Sequence, residues 1–312
     1  MASSMTPTLT ILIPTFDRPH EVNGRLREIE ALWGGEVVVH VQVNPGKHSV
    51  VEIDRSLFSG PLTVRENPSN LGFVGNVVVG VQNIATEWLW ILGDDDILNE
   101  HAKSRIEEAV RECDACSADA AVFNHWYRSP FGHSVVCRDL KTFCRATGFG
   151  DALFISGTIW KTSHFRSHLE DFVVYAYCCS SHILPHVKSL TSGGSPVVVI
   201  DENLIDYRSV QRWSHIEYLD QVLVLLRHPA VRPQAGLMVD FMAPTVVTFL
   251  SAASGKVWTG EATFREVLRV YLIHLWNVLR FRPFRMFGRS GMLMWPLRGL
   301  IRMCSGRTKS SP

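Results

Sequence analysis

The first half of the chain alternates short apolar runs with longer segments in which apolar residues recur every three or four positions. Short apolar runs between turn residues predict buried strands, whereas the longer spacing predicts amphipathic helices. We predict strands over residues 9–14, 37–43, 61–65, 87–92 and 120–123. We predict helices over residues 17–33, 73–85 and 99–111. Asp17 is expected to cap the first helix, with Pro19 in its first turn.

Strands that alternate with helices predict an α/β fold, with a mostly parallel sheet covered by helices on both faces. Ligands of such sheets bind beyond the carboxyl ends of the strands. Three polar segments of this chain follow predicted strands, at residues 15–18, 44–46 and 94–96. We therefore expect these three segments to converge at one edge of the sheet.

The acidic triplet Asp94, Asp95 and Asp96 ends the most apolar of these strands, directly after Gly93. Three neighbouring carboxylates repel one another and resist removal from water, so a cation is expected to offset their cost. The usual candidate is a divalent metal that carries a diphosphate, because hard cations prefer oxygen ligands. The alternative is a solvated turn in which Asp96 or Asn99 caps the next helix.

A glycine-containing loop precedes the helix that leads to this strand, with Asn70, Gly72 and Gly75 at its centre. Glycine permits close backbone approach, and the start of a helix offers N–H groups to an anion. The loop predicts a binding site for phosphate. A simple turn capped by Asn70 is the alternative.

Basic and acidic residues are distributed unevenly along the chain. Of the 31 Lys and Arg residues, nine follow Glu266, after which no acid occurs, so residues 1–266 hold 22 basic against 30 acidic residues. The basic tail also contains many aromatic and apolar side chains, a composition that favours an interfacial segment on anionic lipid. A core helix followed by a basic end is the alternative. Nucleic acid is not an expected partner, because no recognised binding module accompanies these charges.

No signal peptide and no uninterrupted apolar stretch long enough to span a membrane is visible, and residues 241–253 predict a buried helix. The seven cysteines form no disulfide framework, which favours a reducing cytoplasm. Cys113 and Cys116 lack a matching second pair at zinc-site spacing, so a buried or helical role is expected for them.

Three motifs together resemble glycosyltransferase family 2: ILIPTFDRP at residues 11–19, Asn70-x-Gly72, and WILGDDD at residues 90–96. The resemblance covers residues 8–125, and the Gly-Asp-Asp-Asp form is similar to bacterial O-antigen transferases of the abequosyltransferase type. It implies the GT-A fold and an inverting transfer of a sugar from a nucleotide-sugar donor. The expected divisions are a nucleotide-sugar-binding half over 1–125, an acceptor-side half over 126–225 and a helical extension over 226–312.

The resemblance also assigns residues to the donor. It implies that Asp96 binds Mn²⁺ or Mg²⁺, that Asp94 approaches the ribose or the sugar, and that Asp95 serves either role. Asn44 stands where many family members have an aspartate that contacts the base. The remaining nucleotide-binding positions implied by the resemblance are Pro14, Thr15, Phe16, Arg18, Asn70 and Gly72.

Inversion in one displacement needs a general base within hydrogen-bond reach of the acceptor hydroxyl. The pair Glu170 and Asp171 follows a segment, residues 155–161, that resembles the family's acceptor side, and Asp171 is the first candidate. His182 is a rival because histidine is a competent base near neutral pH. Asp201 and Glu202 are further candidates for the base. Arg208, Arg212 and Trp213 are candidates for holding the diphosphate or stacking on a sugar, with an exposed helix surface as the alternative.

These features predict a cytoplasmic glycosyltransferase, peripheral at the inner face of the cell membrane. Its expected acceptor is a lipid-linked saccharide in the synthesis of a surface polysaccharide. Two alternatives are a soluble transferase that acts on a protein or small molecule, and a non-catalytic sugar-nucleotide-binding module. Binding to anionic vesicles would distinguish the expected membrane-surface enzyme from the first alternative, and turnover of the donor would distinguish it from the second.

Overall fold

The computed structural model describes residues 8–48, 50–176, 181–206, 223–258 and 263–281. These residues fall into two compact units, of which the first ends at residue 206 and the second holds residues 223–258 and 263–281. The strands of the first unit are β1 Leu9–Phe16, β2 Val38–Asn44, β3 Leu62–Glu66, β4 Trp88–Ile91, β5 Ile97–Leu98, β6 Ala120–Phe123, β7 Val135–Cys137, β8 Thr158–Lys161, β9 Val197–Ile200 and β10 Ile205–Asp206.

Eight α-helices connect these strands among the described residues of the first unit. They are α1 Pro19–Trp33, α2 Gly72–Gln82, α3 Ala102–Cys116, α4 Leu140–Ala146, α5 Phe149–Ala152, α6 Thr162–Ser167, α7 Leu169–Val174 and α8 Leu184–Ser192. The five predicted strands and three predicted helices of the first half are all present, with ends displaced by a few residues.

Eight strands form one sheet in the order β3-β2-β1-β4-β8-β6-β9-β7. β8 and β7 run antiparallel to their neighbours, while the other six strands point in one direction. The predicted α/β fold with a mostly parallel sheet is therefore confirmed. β5 and β10 form a separate antiparallel pair beside it.

Both faces of the sheet are buried, as its continuous apolar runs predict. On one face, Ile11 and Trp90 pack in a core with side chains of α1 and α3. On the other face, Leu12 lies so close to Gly80 of α2 that a Cβ atom there would approach its Cδ1 to 2.6 Å. The sheet is therefore a rigid platform whose carboxyl edge positions the loops that follow its strands.

Asp17 does not cap α1, contrary to the expectation from its position. It has a positive φ of 58°, and its carboxylate accepts a hydrogen bond from the backbone N–H of His48 at 2.6 Å. α1 has no side-chain cap, although Pro19 does occupy its first turn as predicted. Asp17 thus links the segments that follow β1 and β2, which favours their convergence.

The second unit contains two α-helices among its described residues, α9 Ala235–Trp258 and α10 Phe264–Phe281. The predicted buried helix at residues 241–253 lies within α9, where Met242 and Val246 are fully buried. None of the described helices combines the length and the apolar character needed to cross a membrane. The basic tail after residue 281 lies outside the described residues, as do Arg208, Arg212 and Trp213.

Histidines occupy part of the core between α8 and the sheet. His186 of α8 is fully buried and stacks on Trp160, with ring centroids 6.2 Å apart. Within the described part of the chain neither of its ring nitrogens has a hydrogen-bond partner. Burial lowers the pKa of His186 well below 6.5, and nearby His164, His182 and His168 lower it further.

This burial predicts loss of stability in acid, which His186→Phe should reduce. The folded protein resists protonation of His186, whereas the unfolded chain takes up a proton below about pH 6.5. The variant should gain about 1.4 kcal/mol of unfolding free energy over wild type for each pH unit below 6.5. Urea unfolding between pH 8 and pH 5 measures this difference. His133→Phe, at an exposed histidine, is the control, and parallel pH profiles for His186→Phe and wild type would contradict the prediction.

Candidate active site

The predicted convergence of polar segments occurs at the carboxyl edge of the sheet. Phe16 and Asn44, at the ends of β1 and β2, are register partners. Leu92, which follows β4, donates a backbone hydrogen bond to Leu12 of β1. The segment from Gly93 onward therefore emerges beside the end of β1.

The acidic triplet is mostly buried. Asp94 and Asp96 are each 6% exposed, whereas Asp95 points outward. Gly93 makes the close packing possible, because a Cβ atom there would lie 2.5 Å from Oδ2 of Asp96. The solvated-turn alternative does not fit this burial. Neither Asp96 nor Asn99 caps the next helix, whose N-cap residue is His101 with no side-chain cap. Asn99 Oδ1 accepts the N–H of His101 just before that helix.

Asp94 is held by two side chains of the loop after β1. Thr15 Oγ1 donates to its Oδ2 at 2.6 Å. Arg18 Nη1 donates to its Oδ1 at 2.9 Å and to Asp95 Oδ2 at 3.0 Å. Burial raises the pKa of Asp94, and the hydrogen bond from Thr15 and the charge of Arg18 oppose that rise. A guanidinium therefore supplies part of the cationic charge that the triplet was expected to need.

Asp96 is held by the segment before β8. Ser156 Oγ donates to Asp96 Oδ2 at 2.6 Å and accepts the Gly93 N–H at 2.9 Å. The Ser156 carbonyl accepts from Trp90 Nε1 at 2.7 Å, and the Arg25 guanidinium donates to the Asp96 carbonyl. Burial, aided by the charges of Asp95 and Asp94, raises the pKa of Asp96 to about 6. The structure thus keeps a carboxylate in a place that disfavours its charged form.

The glycine loop is fastened by amide side chains. Asn70 Oδ1 accepts the N–H of Gly72 at 2.9 Å, and Gly72 has a φ of +68° that favours glycine. Asn44 is buried, accepts the N–H of Leu71 at 3.2 Å and donates to the Gly72 carbonyl at 3.0 Å. Asn44 therefore braces the loop through its amide, and a contact with a base would compete with these bonds.

A chain of buried amides extends this bracing into the sheet. Asn67 Nδ2 donates to Asn44 Oδ1 at 2.9 Å and to Asn76 Oδ1 at 2.7 Å. Asn76 donates in turn to the carbonyls of Thr15 and Gln42. The network joins β1, β2 and α2, so the ends of these three elements hold a fixed arrangement.

Apolar side chains remain exposed around the amides. Phe16, Leu71 and Phe73 are large hydrophobic residues with 40–52% of their surface accessible. Pro14, by contrast, is buried within β1. The corner formed by β1, β2 and α2 therefore combines fixed polar groups with open apolar surface.

The candidate bases Glu170 and Asp171 lie on α7. Asp171 of α7 accepts a hydrogen bond from Lys188 at 2.6 Å and lies 3.7 Å from Nδ1 of His168. Glu170 is exposed, and His182 is buried. These contacts tie Asp171 to α8 and to the residue between α6 and α7, and neither of them involves the acidic triplet. Asp171 as the general base stays a prediction from the sequence.

The two later acids follow β9 at the carboxyl edge of the sheet. Asp201 Oδ1 accepts hydrogen bonds from Asn124 Nδ2 at 3.3 Å and from the Ser129 N–H at 3.1 Å. Glu202 pairs with Arg105. Asp201 therefore holds the segment that follows β6.

Sequence reasoning missed two residues that contact the triplet, Ser156 and Arg25. Ser156 lies within residues 155–161. The resemblance of this segment to the family's acceptor side marked the segment as functional but assigned no role to the serine. Arg25 lies inside an amphipathic helix, where an arginine is usually solvated. Both contacts join residues more than 55 positions apart, so no local pattern predicts them.

The triplet offers oxygen ligands of the kind that a divalent cation prefers. Within the described residues no group of three or more His, Cys, Asp or Glu side chains is arranged to hold a metal ion. Mg²⁺ is commonly bound by one or two carboxylates together with substrate phosphates. Asp96, with the charge of Asp94 and Asp95 nearby, provides carboxylate oxygens that a cation would stabilise.

No protein-family model matches this sequence, and no curated protein matches it. Solved structures do match. One is TarS 1–349 of S. aureus in complex with UDP, with a TM-score of 0.55 and 13% identity over 97% of this chain and 93% of that chain. Another is the mannosyltransferase PcManGT of Pyrobaculum calidifontis in complex with GDP-Man and Mn²⁺, with a TM-score of 0.54 and 12% identity over 97% and 89% of the two chains.

The chain therefore has the GT-A fold of glycosyltransferases, as the motif resemblance implies.

The raised pKa of Asp96 predicts that Asp96→Asn stabilises the protein in the absence of metal and nucleotide. The ionised carboxylate disfavours the folded state above pH 6, whereas below 3.8 the group is protonated in both states. The variant should gain up to ~3 kcal/mol at pH 8, and the gain should vanish as pH falls through 6 toward 4. Urea unfolding at pH 8 and pH 4.5 measures it, with Glu108→Gln, at an exposed carboxylate of α3, as control. Equal stability of Asp96→Asn and wild type at pH 8 would reject the prediction.

Proposed function

We propose that this protein is a metal-dependent, inverting glycosyltransferase that moves a sugar from a nucleotide-sugar donor to an acceptor hydroxyl. The observation that carries the proposal is the buried pair Asp94 and Asp96 beside the braced Asn70–Gly72 loop, at the carboxyl edge of a GT-A sheet. Carboxylates kept in an environment that disfavours their charge indicate a functional site.

The corner around Asn44 suits the nucleotide of the donor. Phe16, Leu71 and Phe73 offer apolar surface for a base and ribose. The Arg18 guanidinium and the first N–H groups of α2 suit the diphosphate, since both attract anions. In this role Thr15 and Arg18 also keep Asp94 in place.

Asp96 is the proposed metal ligand, with Mn²⁺ or Mg²⁺ as the ion. A divalent cation bound there supplies neutralisation of the charge that develops on the leaving diphosphate. Ser156 orients the Asp96 carboxylate through a hydrogen bond to Oδ2. The structures of similar fold with UDP, and with GDP-Man and Mn²⁺, support this role for the site.

Turnover of nucleotide sugars tests the proposal. Full-length protein with Mn²⁺ should release UDP or GDP from at least one member of a panel of nucleotide sugars, and EDTA should abolish release. Asp96→Asn should lose both turnover and the effect of Mn²⁺ on UDP or GDP affinity, because it lacks the charge that binds the ion. Full activity in EDTA would reject the metal, and absence of any nucleotide binding would reject the function.

The same assay examines the base. If Asp171 deprotonates the acceptor, Asp171→Asn should lower transfer by about two orders of magnitude and leave nucleotide affinity unchanged. Lys188→Met is the matched control, because it breaks the same ion pair but keeps the carboxylate. If Asp171→Asn and Lys188→Met have similar turnover, Asp171 acts only as a partner of Lys188 and is not the general base. Asp201 is then the next candidate for the base.

The proposed acceptor is a saccharide on a lipid carrier in surface-polysaccharide synthesis, with the protein peripheral at the inner face of the cell membrane. Helix α10 supports the membrane part. Its buried side chains Val267 and Tyr271 lie on one side of the helix. On the other side, Leu272 and Trp276 are 51% and 64% exposed at a spacing of four residues.

Basic residues extend this exposed side of α10 at both ends. Arg265, Arg269 and Arg280 are exposed and lie three or four residues from their neighbours along the same stripe. The one acid of the helix, Glu266, accepts hydrogen bonds from the N–H and hydroxyl of Thr263 and so caps the helix. A stripe of arginines around a tryptophan and a leucine suits anionic lipid.

Vesicle sedimentation tests the membrane proposal. Wild-type protein should bind vesicles that contain phosphatidylglycerol at low salt, and added salt should weaken binding by screening. The double variant Leu272→Ser with Trp276→Ser should bind about tenfold less, because two apolar side chains no longer enter the interface. Deletion of residues 281–312 should also weaken binding. Val51→Ser, at an exposed site of the first unit, is the control. Unchanged binding of the double variant would reject the role of α10.

A further inference from the structure

The segment after β6 carries an exposed aromatic side chain that the proposed donor site does not use. Trp126 is 53% exposed. Its ring lies 5.3 Å from the ring of Phe154 and 5.7 Å from that of His125. His125 and Phe154 meet edge to face at 4.9 Å. The indole therefore rests on two other rings while much of its surface stays accessible.

A buried carboxylate fixes the backbone of this segment. Asp151 is 2% exposed and accepts the N–H groups of His125, Trp126 and Tyr127, at 2.5, 2.8 and 3.1 Å. Three donors on one carboxylate offset the cost of its burial. The chain thus holds three consecutive residues in place around an exposed tryptophan, which is a preorganised rather than a mobile surface.

Further contacts fix both sides of the same segment. Asp201 accepts from Asn124 before it and from the Ser129 N–H after it. The N–H of Leu204 donates to His125 Nε2 at 3.3 Å, and His125 Nδ1 lies 3.1 Å from the Phe123 carbonyl. The ring that supports Trp126 therefore has a fixed orientation.

The sheet order places this aromatic group relative to the triplet. β6 lies two strands from β4, across β8, and both strands point in the same direction. Strand spacing puts their carboxyl ends about 10 Å apart, which is roughly the length of one or two sugar rings. Phe154 also lies two residues before Ser156, which binds Asp96. The nucleotide corner lies on the other side of β4, at β1 and β2.

We propose that Trp126, supported by Phe154 and His125, is a stacking subsite for a pyranose ring of the acceptor. The apolar C–H face of a pyranose suits the face of an indole, and rigid aromatic surface contributes binding at low entropic cost. The position across β4 from the nucleotide corner assigns the ring to the acceptor rather than to the donor. This inference rests on the proposed function, and it makes the acceptor a saccharide.

Saturation-transfer NMR on the full chain tests the subsite without requiring turnover. The probes are the methyl α- and β-pyranosides of glucose, galactose, mannose, rhamnose and N-acetylglucosamine, with UDP or GDP and Mn²⁺ present. At least one probe should bind wild type through its ring C–H protons. Trp126→Ala should weaken that binding about tenfold or more, and Trp126→Phe should restore part of it. Val136→Ala, which removes exposed apolar surface from β7 of the same unit, should bind as wild type does.

Affinities for UDP and GDP show whether Trp126 belongs to an acceptor subsite or to the donor site. They should be the same in wild type and Trp126→Ala, because the nucleotide corner is unchanged. Loss of nucleotide affinity in Trp126→Ala would assign the indole to the donor and overturn the proposal. It would also be overturned if no pyranoside bound wild type, or if Trp126→Ala and Val136→Ala behaved alike. In either of these cases intact nucleotide binding and turnover would leave the proposed function standing.

Discussion

Two carboxylates buried beside each other at the end of β4 set the main constraint on this structure. Asp94 and Asp96 retain little exposure, and burial raises the pKa of both. Each is tolerated because a different part of the chain brings donors to it. The loop after β1 brings Thr15 and Arg18 to Asp94, and the segment before β8 brings Ser156 to Asp96. The strand order around β4 is what makes both contacts possible.

The same constraint divides the carboxyl edge into two sides. Toward β1 and β2, buried amides brace the Asn70–Gly72 loop next to exposed apolar side chains. Toward β6, Asp151 and Asp201 brace the segment that presents Trp126. In both places polar side chains, most of them buried, bond to backbone N–H or carbonyl groups and fix a loop. Rigid loops on both sides of a charged centre suit a reaction that must align two substrates.

Much of the first half follows from local sequence pattern. β4 is a short apolar run, and its type and place agree with prediction because burial on both faces favours apolar residues at every position. β2 also agrees in type and place, although His40 and Gln42 interrupt its valines and are buried as a hydrogen-bonded pair. The site residues at strand ends were also predictable, since parallel strands bring their carboxyl ends to one edge. Asp17 is the exception: its position before a helix indicated a cap, but its carboxylate bonds to His48 across the edge.

The sequence by itself determined the element types, the α/β class and the convergence of residues 15–18, 44–46 and 94–96, because spacing along a strand or helix reports which faces are buried. Only the tertiary structure decided what surrounds the triplet. Ser156 reaches Asp96 because β8 lies beside β4 in the sheet, and Asp151 reaches the Trp126 N–H because α5 packs against β6. Asp171 likewise pairs with Lys188 because α7 and α8 pack together, which no spacing reveals. Contacts between distant segments depend on which strand lies beside which, and that order is a property of the whole sheet.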